Sequence, residues 1–417
     1  MSNPLIVGVD VHSQTNRTCL LDREGEPQGK RLSTDNNRPG TQVLIARIAQ
    51  AVHTGDFDSV RIAAEATNWY WFPLFQTLRQ DPVLARWPLD LYLLNPRVTA
   101  KYKDSFNDKD KTDDSDAHII ADRLRTYSRQ DLPAPFASDL AHLGLRFLTR
   151  YRYHLVQDLV REKNYCLAIL YLKANAYREG HPFSDVFSAT SRALIEEFAS
   201  FEEVAAMPLE GLATWLDTQG KGRFPDPDKV ARELQQVARD SYPLDPQLQP
   251  PVNYVLIWSF QLVNGLERQV QRVNSAIAAA MQGIPQTLDT IPGIGPVFSA
   301  GIIAEIGDLT RFNHDEAKVA QFAGLHWRKN ESGQSKAEET HLTKRGNAYL
   351  RYYFCEAANA VRIRDAEYAA YYQRKHDEVR THQHKRAIAL TARKLVRLVV
   401  RLLTTNQSYQ PRRQPGG

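Results

Sequence analysis

The chain has 417 residues and a mass of 47.5 kDa, which gives room for two or three domains. Its 42% hydrophobic and 24% charged content is ordinary for a globular protein, and no apolar run approaches the ~20 residues of a membrane span. The N-terminus MSNPLIVGVD is not that of a signal peptide. Three widely spaced cysteines, Cys19, Cys166 and Cys355, exclude a disulfide framework and a zinc site. We therefore predict a cytoplasmic protein with no membrane partner.

The net charge of +5 is unevenly distributed along the chain. Residues 1–133 carry a net charge of −1 and residues 134–284 carry −2, whereas residues 285–417 carry +8. An anionic polymer would most naturally bind the basic last third, although a solvated surface could be equally basic.

The first part of the chain alternates between patterns typical of strands and of helices. Short apolar strands are followed by alternating strand and helix units, which predicts a mixed sheet with helices around it. The predicted strands are LIVGVDVH, RTCLLD, VRIAAEAT and LDLYLLNP, and the helix between the last two is NWYWFPLFQTLRQ. The linker LPAPFAS closes this part, so residues 1–133 are predicted to form the first domain.

Residues 134–284 are predicted to form a helical middle region. Leu148, Leu155 and Leu159 lie on one helical stripe, and a second stripe with spacings of four, four, three and four comprises Leu262, Leu266, Val270, Val273 and Ile277. Such stripes could pair as an antiparallel coiled-coil-like hairpin, across a dimer, or within an ordinary core. The breaks TQGKGRFPDPDK and YPLDPQLQPP mark an inserted helical subdomain.

Residues 285–405 are predicted to form a mainly helical C-terminal domain. It opens with IPGIGP, in which Gly293 and Gly295 lie between two apolar segments in the manner of a helix-hairpin-helix. Such glycines either let backbone N–H groups approach a phosphate or simply make a tight turn. A basic helical run follows from Arg374 to Arg401, and residues 406–417 are predicted to be a disordered tail.

An acidic stretch, DKDKTDDSDAHIIADRL, carries six aspartates and is predicted to continue as a helix. Thr112 is a suitable N-cap, and acidic residues after it favour the positive end of the helix dipole. The apolar stripe of an amphipathic helix follows at Ala117, Ile120, Ala121 and Leu124.

Counting back along that stripe places Asp113 and Asp116 on the packed side, and Asp114 and Asp122 more towards solvent. Two inward carboxylates three residues apart need a cation. Helix capping is the alternative explanation for one or both of them.

Two further carboxylates, those of Asp10 and Glu65, end predicted buried strands. A carboxylate at such a position is unfavourable unless it is paired or bound to a cation. The four acids Asp10, Glu65, Asp113 and Asp116 offer only oxygen ligands, which select Mg²⁺ or Mn²⁺. Two such ions can activate a nucleophile and stabilise the leaving oxygen of a phosphodiester. Structural coincidence is the competing interpretation. His12 has no predicted partner at ligand spacing.

Several motifs together resemble those of a known family. VGVDVH, AAEAT.WYW, LLNP and KTD..DA are similar to the DEDD-motif bacterial insertion-sequence transposases, the insertion-sequence family numbered one hundred and ten. IPGIGP..SA.IIAEIGD..RF, FAGL, ESG and K.GN..LR resemble the C-terminal transposase domain of that family. One departure is that LHWRKNESG lacks the proline often found after GL.

The resemblance implies an α/β plus all-α fold: an RNase H/RuvC-like first domain, the helical middle and the C-terminal transposase domain. It implies site-specific DNA recombination without target duplication, directed by a structured guide RNA that pairs with target and donor DNA. It assigns Asp10, Glu65, Asp113 and Asp116 to a catalytic Mg²⁺ site. It also implies that a serine nucleophile, here Ser332, is completed by the acidic site of another protomer in a dimer or tetramer.

The residues around Ser332 support that assignment but leave a rival. Gly333 permits a turn, and basic residues nearby can offset phosphate charge. Apart from Glu331, whose side chain is expected to point elsewhere, no base lies at an activating spacing, so activation is expected from the acidic site. Ser335 is the rival nucleophile, and either serine could merely cap a loop. The candidate phosphate contacts, or ordinary surface charges, are Arg328, Lys344, Arg345 and Arg351.

Two other functions compete with recombination. A RuvC-like junction nuclease would hydrolyse DNA with water, but it would not require the large second half of the chain. A nucleic-acid-binding protein without activity would not require all four acids.

Overall fold

The computed structural model describes residues 3–105, 113–128, 132–133, 135–136, 140–180, 182–327, 331–332, 335–336 and 342–411. The chain divides into two compact units, which meet in sequence between Asp139 and Leu140. The predicted division into three domains at residues 133 and 284 stays a prediction.

The first unit is built on a five-stranded mixed sheet with strand order β3-β2-β1-β4-β5. β1 pairs antiparallel with β2 and parallel with β4, while β2–β3 is antiparallel and β4–β5 is parallel. This confirms the predicted mixed α/β class. The elements of the unit are β1 (Pro4–Val11), β2 (Thr15–Leu21), β3 (Leu32–Asp35), α1 (Arg38–Thr54), β4 (Ser59–Glu65), α2 (Trp71–Gln80), a 3-10 turn (Leu84–Arg86), β5 (Leu89–Leu94), α3 (Pro96–Lys103) and α4 (Asp113–Thr126).

Helices cover both faces of this sheet. Leu5, Val7 and Val9 of β1 belong to a core that includes residues of α1 and α2. Because side chains alternate along a strand, Ile6 joins the opposite core, where α4 packs. Asp10 has the same parity as Ile6, so β1 presents it on the α4 side. The predicted stripe of α4 is confirmed, since all four of its members are at most 2% exposed.

The close approach of α4 to β1 depends on Gly8. A Cβ atom at Gly8 would lie 2.3 Å from the carbonyl oxygen of Ala117 and 2.4 Å from the amide nitrogen of Ala121. Glycine thus lets the backbone of α4 lie directly on the strand that carries Asp10.

The second unit contains two long helices that pack together. They are α5 (Leu140–Lys173), at its start, and α11 (Gln249–Met281), later in the chain. Arg152 bonds to Asn274, and Lys163 pairs with Glu267, so the two helices run antiparallel within one chain. The two segments thus pair as an antiparallel hairpin within the chain; the coiled-coil and dimer alternatives stay predictions. Between them lie α6 (Tyr177–Gly180), α7 (Ala189–Glu197), α8 (Phe201–Ala206), α9 (Leu209–Gly220) and α10 (Pro227–Asp240), which share a separate core with one end of α5 and α11.

The last third packs mainly around one core, which also includes parts of α5 and α11. Its elements are a 3-10 turn (Leu288–Thr290), α12 (Pro296–Ile306), a 3-10 turn (Leu309–Phe312), α13 (Glu316–Ala323), β6 (Glu331–Ser332), β7 (Ser335–Lys336), α14 (Ala348–Arg364), α15 (Ala366–Asp377) and α16 (Gln383–Thr405). The predicted basic helical run is divided between α15 and α16, because residues 378–382 are not α-helical.

Two expectations for this third need correction. The element before IPGIGP is a single 3-10 turn, so the two-helix hairpin expected there is incomplete. The predicted disordered tail is wrong at its start, because the Tyr409 hydroxyl donates to Asp365 at 2.6 Å and its amide donates to Thr290 at 2.8 Å. Residues 412–417 lie outside the described residues. Among the residues described, no helix is long and apolar enough to cross a membrane.

Candidate active site

The sheet brings Asp10 and Glu65 together at one edge. Val9 pairs with Ala64 in the parallel β1–β4 register, so Asp10 and Glu65 follow as neighbours at the carboxyl ends of their strands. Burial raises the pKa of Asp10 above its ordinary value; His12 opposes this, and the negative charges of Asp116 and Glu65 add to it. The charge of Asp116 therefore acts on Asp10, although the three described carboxylates are not close enough together to hold one ion as they stand.

The fourth acid, Asp113, is the first residue of α4, and its side chain lies outside the described part of the structure, as does Thr112. Capping by these residues therefore stays a prediction. The expected solvent exposure of Asp122 is wrong: it is 9% exposed, accepts a hydrogen bond from Tyr102 at 2.6 Å and pairs with Arg125.

Helix α3 supplies three contacts that the sequence analysis missed. Thr99 donates to Glu65, Lys103 pairs with Asp116, and Tyr102 donates to Asp122. Residues 99, 102 and 103 share one helical face, and Asn95 in the LLNP motif caps the helix by accepting from the Arg97 amide. The i, i+3, i+4 spacing of polar groups in VTAKYK was the available signal. It could not be interpreted before the position of the acids was known.

His12 was also missed. Its Nε2 atom lies 3.1 Å from Oδ2 of Asp10, a contact that the sequence did not indicate. The Asp10 side chain is 16% exposed, so this contact partly offsets the cost of burying a carboxylate.

The donor set fits a hard divalent cation. Asp10, Glu65 and Asp116 present only oxygen atoms, which suit Mg²⁺ or Mn²⁺ rather than softer metals. Within the described residues, no three acidic, histidine or cysteine side chains are close enough to hold an ion. The Asp113 carboxylate lies outside the described residues.

A short hairpin carries the candidate serine in the second unit. β6 and β7 pair antiparallel with Ser332 opposite Ser335, so the backbone places both serines at the same level. The chain segments before β6 and after β7 also pair with each other. Trp327 forms a β-bridge with Leu342, and the Asn347 amide donates to the Phe322 carbonyl at 2.6 Å. We call the paired segments 322–327 and 342–347 the hairpin foot. Neither serine side chain is described, so the choice between them stays a prediction.

A buried carboxylate, Glu305 of α12, lies beneath the hairpin foot and is 1% exposed. Arg150 of α5 donates to both of its oxygens at 2.7 and 2.9 Å, and Asn347 donates to it at 2.6 Å. The same Asn347 caps α14 by accepting from the Tyr349 and Leu350 amides. Glu305 thus joins α5, α12 and α14 at the foot. An acid inside the apolar helix SAGIIAEI was the sequence signal for this residue.

The predicted phosphate contacts differ in their surroundings. Lys344 and Arg345 are exposed, whereas Arg351 donates to the carbonyls of Ala323 and Lys344 at 3.1 and 3.0 Å. Arg351 therefore stabilises the hairpin foot from within. Arg328 lies outside the described residues.

The two glycines of IPGIGP also differ. Gly293 has φ +96°, and an added Cβ would lie 2.7 Å from the Ala360 carbonyl oxygen, so helix packing accounts for this glycine. Gly295 precedes α12, and a Cβ there would meet open space. Only Gly295 has the room around its Cα that the predicted phosphate approach needs.

Two sequence models match the chain in the order that the motifs indicated. A DEDD-type transposase model of the IS110 group matches residues 7–173, and the model described as "Transposase IS116/IS110/IS902 family" matches residues 285–373. Together they cover more than half of the chain. It belongs to the IS110/IS116 transposase family.

Relatives of this transposase agree with that assignment. It is 26% identical over 320 residues to the uncharacterized 44.8 kDa protein of insertion element IS116 from Streptomyces clavuligerus, covering 76% of each chain. It is 24% identical over 318 residues to the uncharacterized 42 kDa protein of insertion element IS900 from Mycobacterium paratuberculosis, covering 74% of this chain and 75% of the relative. The transposase is an enzyme that cleaves and rejoins DNA.

Proposed function

We propose that this transposase recombines the ends of its insertion sequence with target DNA through a covalent phosphoserine at Ser332. The observation that carries the acidic half of the proposal is that Asp10 and Glu65 end neighbouring strands, with the charge of Asp116 acting on Asp10. The sheet with helices on both faces supports an RNase H/RuvC-like fold for the first unit.

Four carboxylates would bind the metal in the proposed reaction. When bound, Mg²⁺ or Mn²⁺ would lower the barrier to attack on a phosphodiester by stabilising developing negative charge. Asp10 and Glu65 end neighbouring strands, and the close contact of α4 with β1 at Gly8 supports a role for Asp116 as a further ligand. The proposed ligands are Asp10, Glu65, Asp113 and Asp116.

The serine hydroxyl forms the new bond in the proposed reaction. Oγ of Ser332 attacks phosphorus, the phosphodiester bond to one sugar oxygen breaks, and that oxygen leaves carrying a proton. The phosphoserine ester conserves the energy of the broken bond, so a sugar hydroxyl from another strand can displace the serine without ATP. Hydrolysis by water would lose that energy, which favours recombinase over the nuclease alternative.

The proposed partners follow from the family and from the charge of residues 285–417. Exposed Lys344 and Arg345 would contact the nucleic-acid backbone, and Gly295 would allow close approach of a phosphate. A structured guide RNA would select donor and target DNA. We further propose a homodimer or tetramer that acts in the cytoplasm at the nucleoid. Light scattering would give the oligomer mass, and sequencing of copurified RNA would identify the guide.

One assay tests the reaction. The protein is incubated with end-labelled cognate DNA, guide RNA and Mg²⁺ and then analysed on denaturing gels. A covalent adduct is expected for the wild type and for Ser335→Ala, but not for Ser332→Ala or Asp113→Asn. Free cuts without an adduct would indicate the nuclease, and an adduct retained in Ser332→Ala would refute the serine assignment.

A further inference from the structure

The first half of α5 has a composition that the regional charge count conceals. Residues 140–157, LAHLGLRFLTRYRYHLVQ, contain three arginines, two histidines, three aromatic residues and no carboxylate. The net charge of −2 over residues 134–284 averages this segment with acidic helices further along the chain. A basic, aromatic half-helix is the composition expected where a protein contacts nucleic acid.

Two of the three aromatic residues of this segment, Phe147 and Tyr151, lie on one exposed face of the helix. Leu140, Gly144, Phe147, Tyr151 and His154 follow one another at spacings of four, three, four and three, and all five are exposed. Phe147 is 46% and Tyr151 is 53% exposed, whereas Leu145 and Leu155 on the opposite side are buried. We call Phe147, Arg150, Tyr151 and His154 the α5 aromatic face.

Glu305 and Tyr349 link this face to the hairpin foot and fix its orientation. The Arg150 guanidinium, held by both oxygens of Glu305, lies 4.6 Å from the centre of the Tyr349 ring. His154 Nε2 lies 3.1 Å from the Tyr349 hydroxyl. Tyr349 follows Asn347 of the hairpin foot by two residues, so the α5 aromatic face continues onto the base of the arm that carries exposed Lys344 and Arg345.

We propose that the α5 aromatic face stacks unpaired bases of the DNA strand next to the phosphate that the hairpin serine attacks. This rests on the proposed function, which places the DNA phosphate at the hairpin. Aromatic rings stack on every base because each base has a π face, and a fixed arginine adds a cation–π contact. The absence of carboxylates from residues 140–157 leaves no like charge in that half-helix to repel the strand.

DNA is the occupant that the surroundings favour. The face adjoins the foot of the serine hairpin, and strand exchange requires that bases on both sides of a cut be unpaired. Lys344 and Arg345 on the neighbouring arm are exposed and can meet the phosphates of the same strand.

Fluorescence of 2-aminopurine placed beside the cut site in single-stranded DNA tests the stacking directly. For Tyr151→Ala and Phe147→Ala we expect binding about fivefold or more weaker, as for loss of one stacked base, together with loss of quenching. Tyr151→Trp should retain both, since it keeps the aromatic plane. The matched control is Tyr165→Ala, because Tyr165 is 51% exposed on the same helix but lies beyond the basic segment. Thermal melting of each variant confirms that it folds.

Several results would overturn the assignment. Equal affinities for Tyr151→Ala and Tyr165→Ala would show that the face does not contact DNA. A change in oligomer mass with unchanged DNA affinity would identify a second copy as the occupant, and weaker binding of guide RNA alone would identify RNA. Failure of the wild type to bind any DNA would instead refute the proposed function, and this assignment with it.

Discussion

Glu305→Gln is the substitution expected to destabilise the second unit most clearly. The change preserves side-chain shape but removes the charge that Arg150 contacts with two hydrogen bonds, at a site 1% exposed. Breaking a buried ion pair by removing one partner costs about 3–5 kcal/mol. Arg150 is 31% exposed, so water screens the orphaned guanidinium and favours the lower end, about 3 kcal/mol. For a unit of this size that corresponds to a melting temperature lower by roughly 6 °C or more.

Differential scanning calorimetry of the full chain measures this loss. The control is Glu316→Gln, which removes a surface pair with Arg397, itself 72% exposed, and should cost less than about 1 kcal/mol. The double variant Glu305→Leu/Arg150→Met should lose less than the sum of its single changes, because no unpaired charge remains. If Glu305→Gln melts at the temperature of Glu316→Gln, the buried charge pair does not stabilise the hairpin foot.

Three further predictions concern the sheet and the helical insertion. Gly8→Val should push α4 off β1, destabilise the first unit by at least about 1–3 kcal/mol and abolish divalent-metal binding in calorimetric titration. Burial raises the pKa of Asp10, so the folded state binds more protons than the unfolded state, and stability falls as pH rises through that pKa. Asp10→Asn should therefore have a higher melting temperature than the wild type at neutral pH in EDTA. This difference in melting temperature should disappear in acid. Burial lowers the pKa of Lys173 to about 8, so above that pH the folded state binds fewer protons than the unfolded state. The stability of the wild type relative to Lys173→Met should therefore rise between about pH 8 and 10. A stability difference that does not change with pH would refute the lowered pKa.

The first unit was largely predictable because its determinants are local. Short apolar runs located β1, β4 and β5, and helical spacing identified the buried stripe of α4. Placement of Asp10 and Glu65 at strand ends needed only the two-residue period of a strand. Sheet order, however, depends on long-range pairing, so Thr99 and Lys103 could not be recognised as partners of Glu65 and Asp116 from the sequence.

The second unit was less predictable because its polar contacts join distant segments. Arg150 and Glu305 are 155 residues apart, and no local pattern indicates that they pair. Arg351 looked like one more surface cation, whereas its guanidinium donates to two carbonyls of the hairpin foot. The α5 aromatic face was hidden for a different reason: charge was averaged over 151 residues, while the basic segment is about five helical turns long.

The concentration of buried polar contacts at the hairpin foot has a mechanical consequence. Ser332 is five residues along the chain from the Trp327–Leu342 bridge, and five residues span at most about 17 Å. A tilt of about 5° at the foot would then move the serine by roughly 1.5 Å, and a misplacement of about 1 Å can slow a positioned reaction about a hundredfold. If Ser332 is the nucleophile as proposed, the contacts of Glu305, Asn347 and Arg351 bear on catalysis although none of them needs to touch DNA. Asn347→Ser separates their effects, because serine retains the helix cap but cannot reach Glu305. This variant should melt near the wild-type temperature, bind DNA with wild-type affinity and form the serine adduct markedly more slowly. Wild-type adduct kinetics in Asn347→Ser would show that the helix cap alone positions the hairpin.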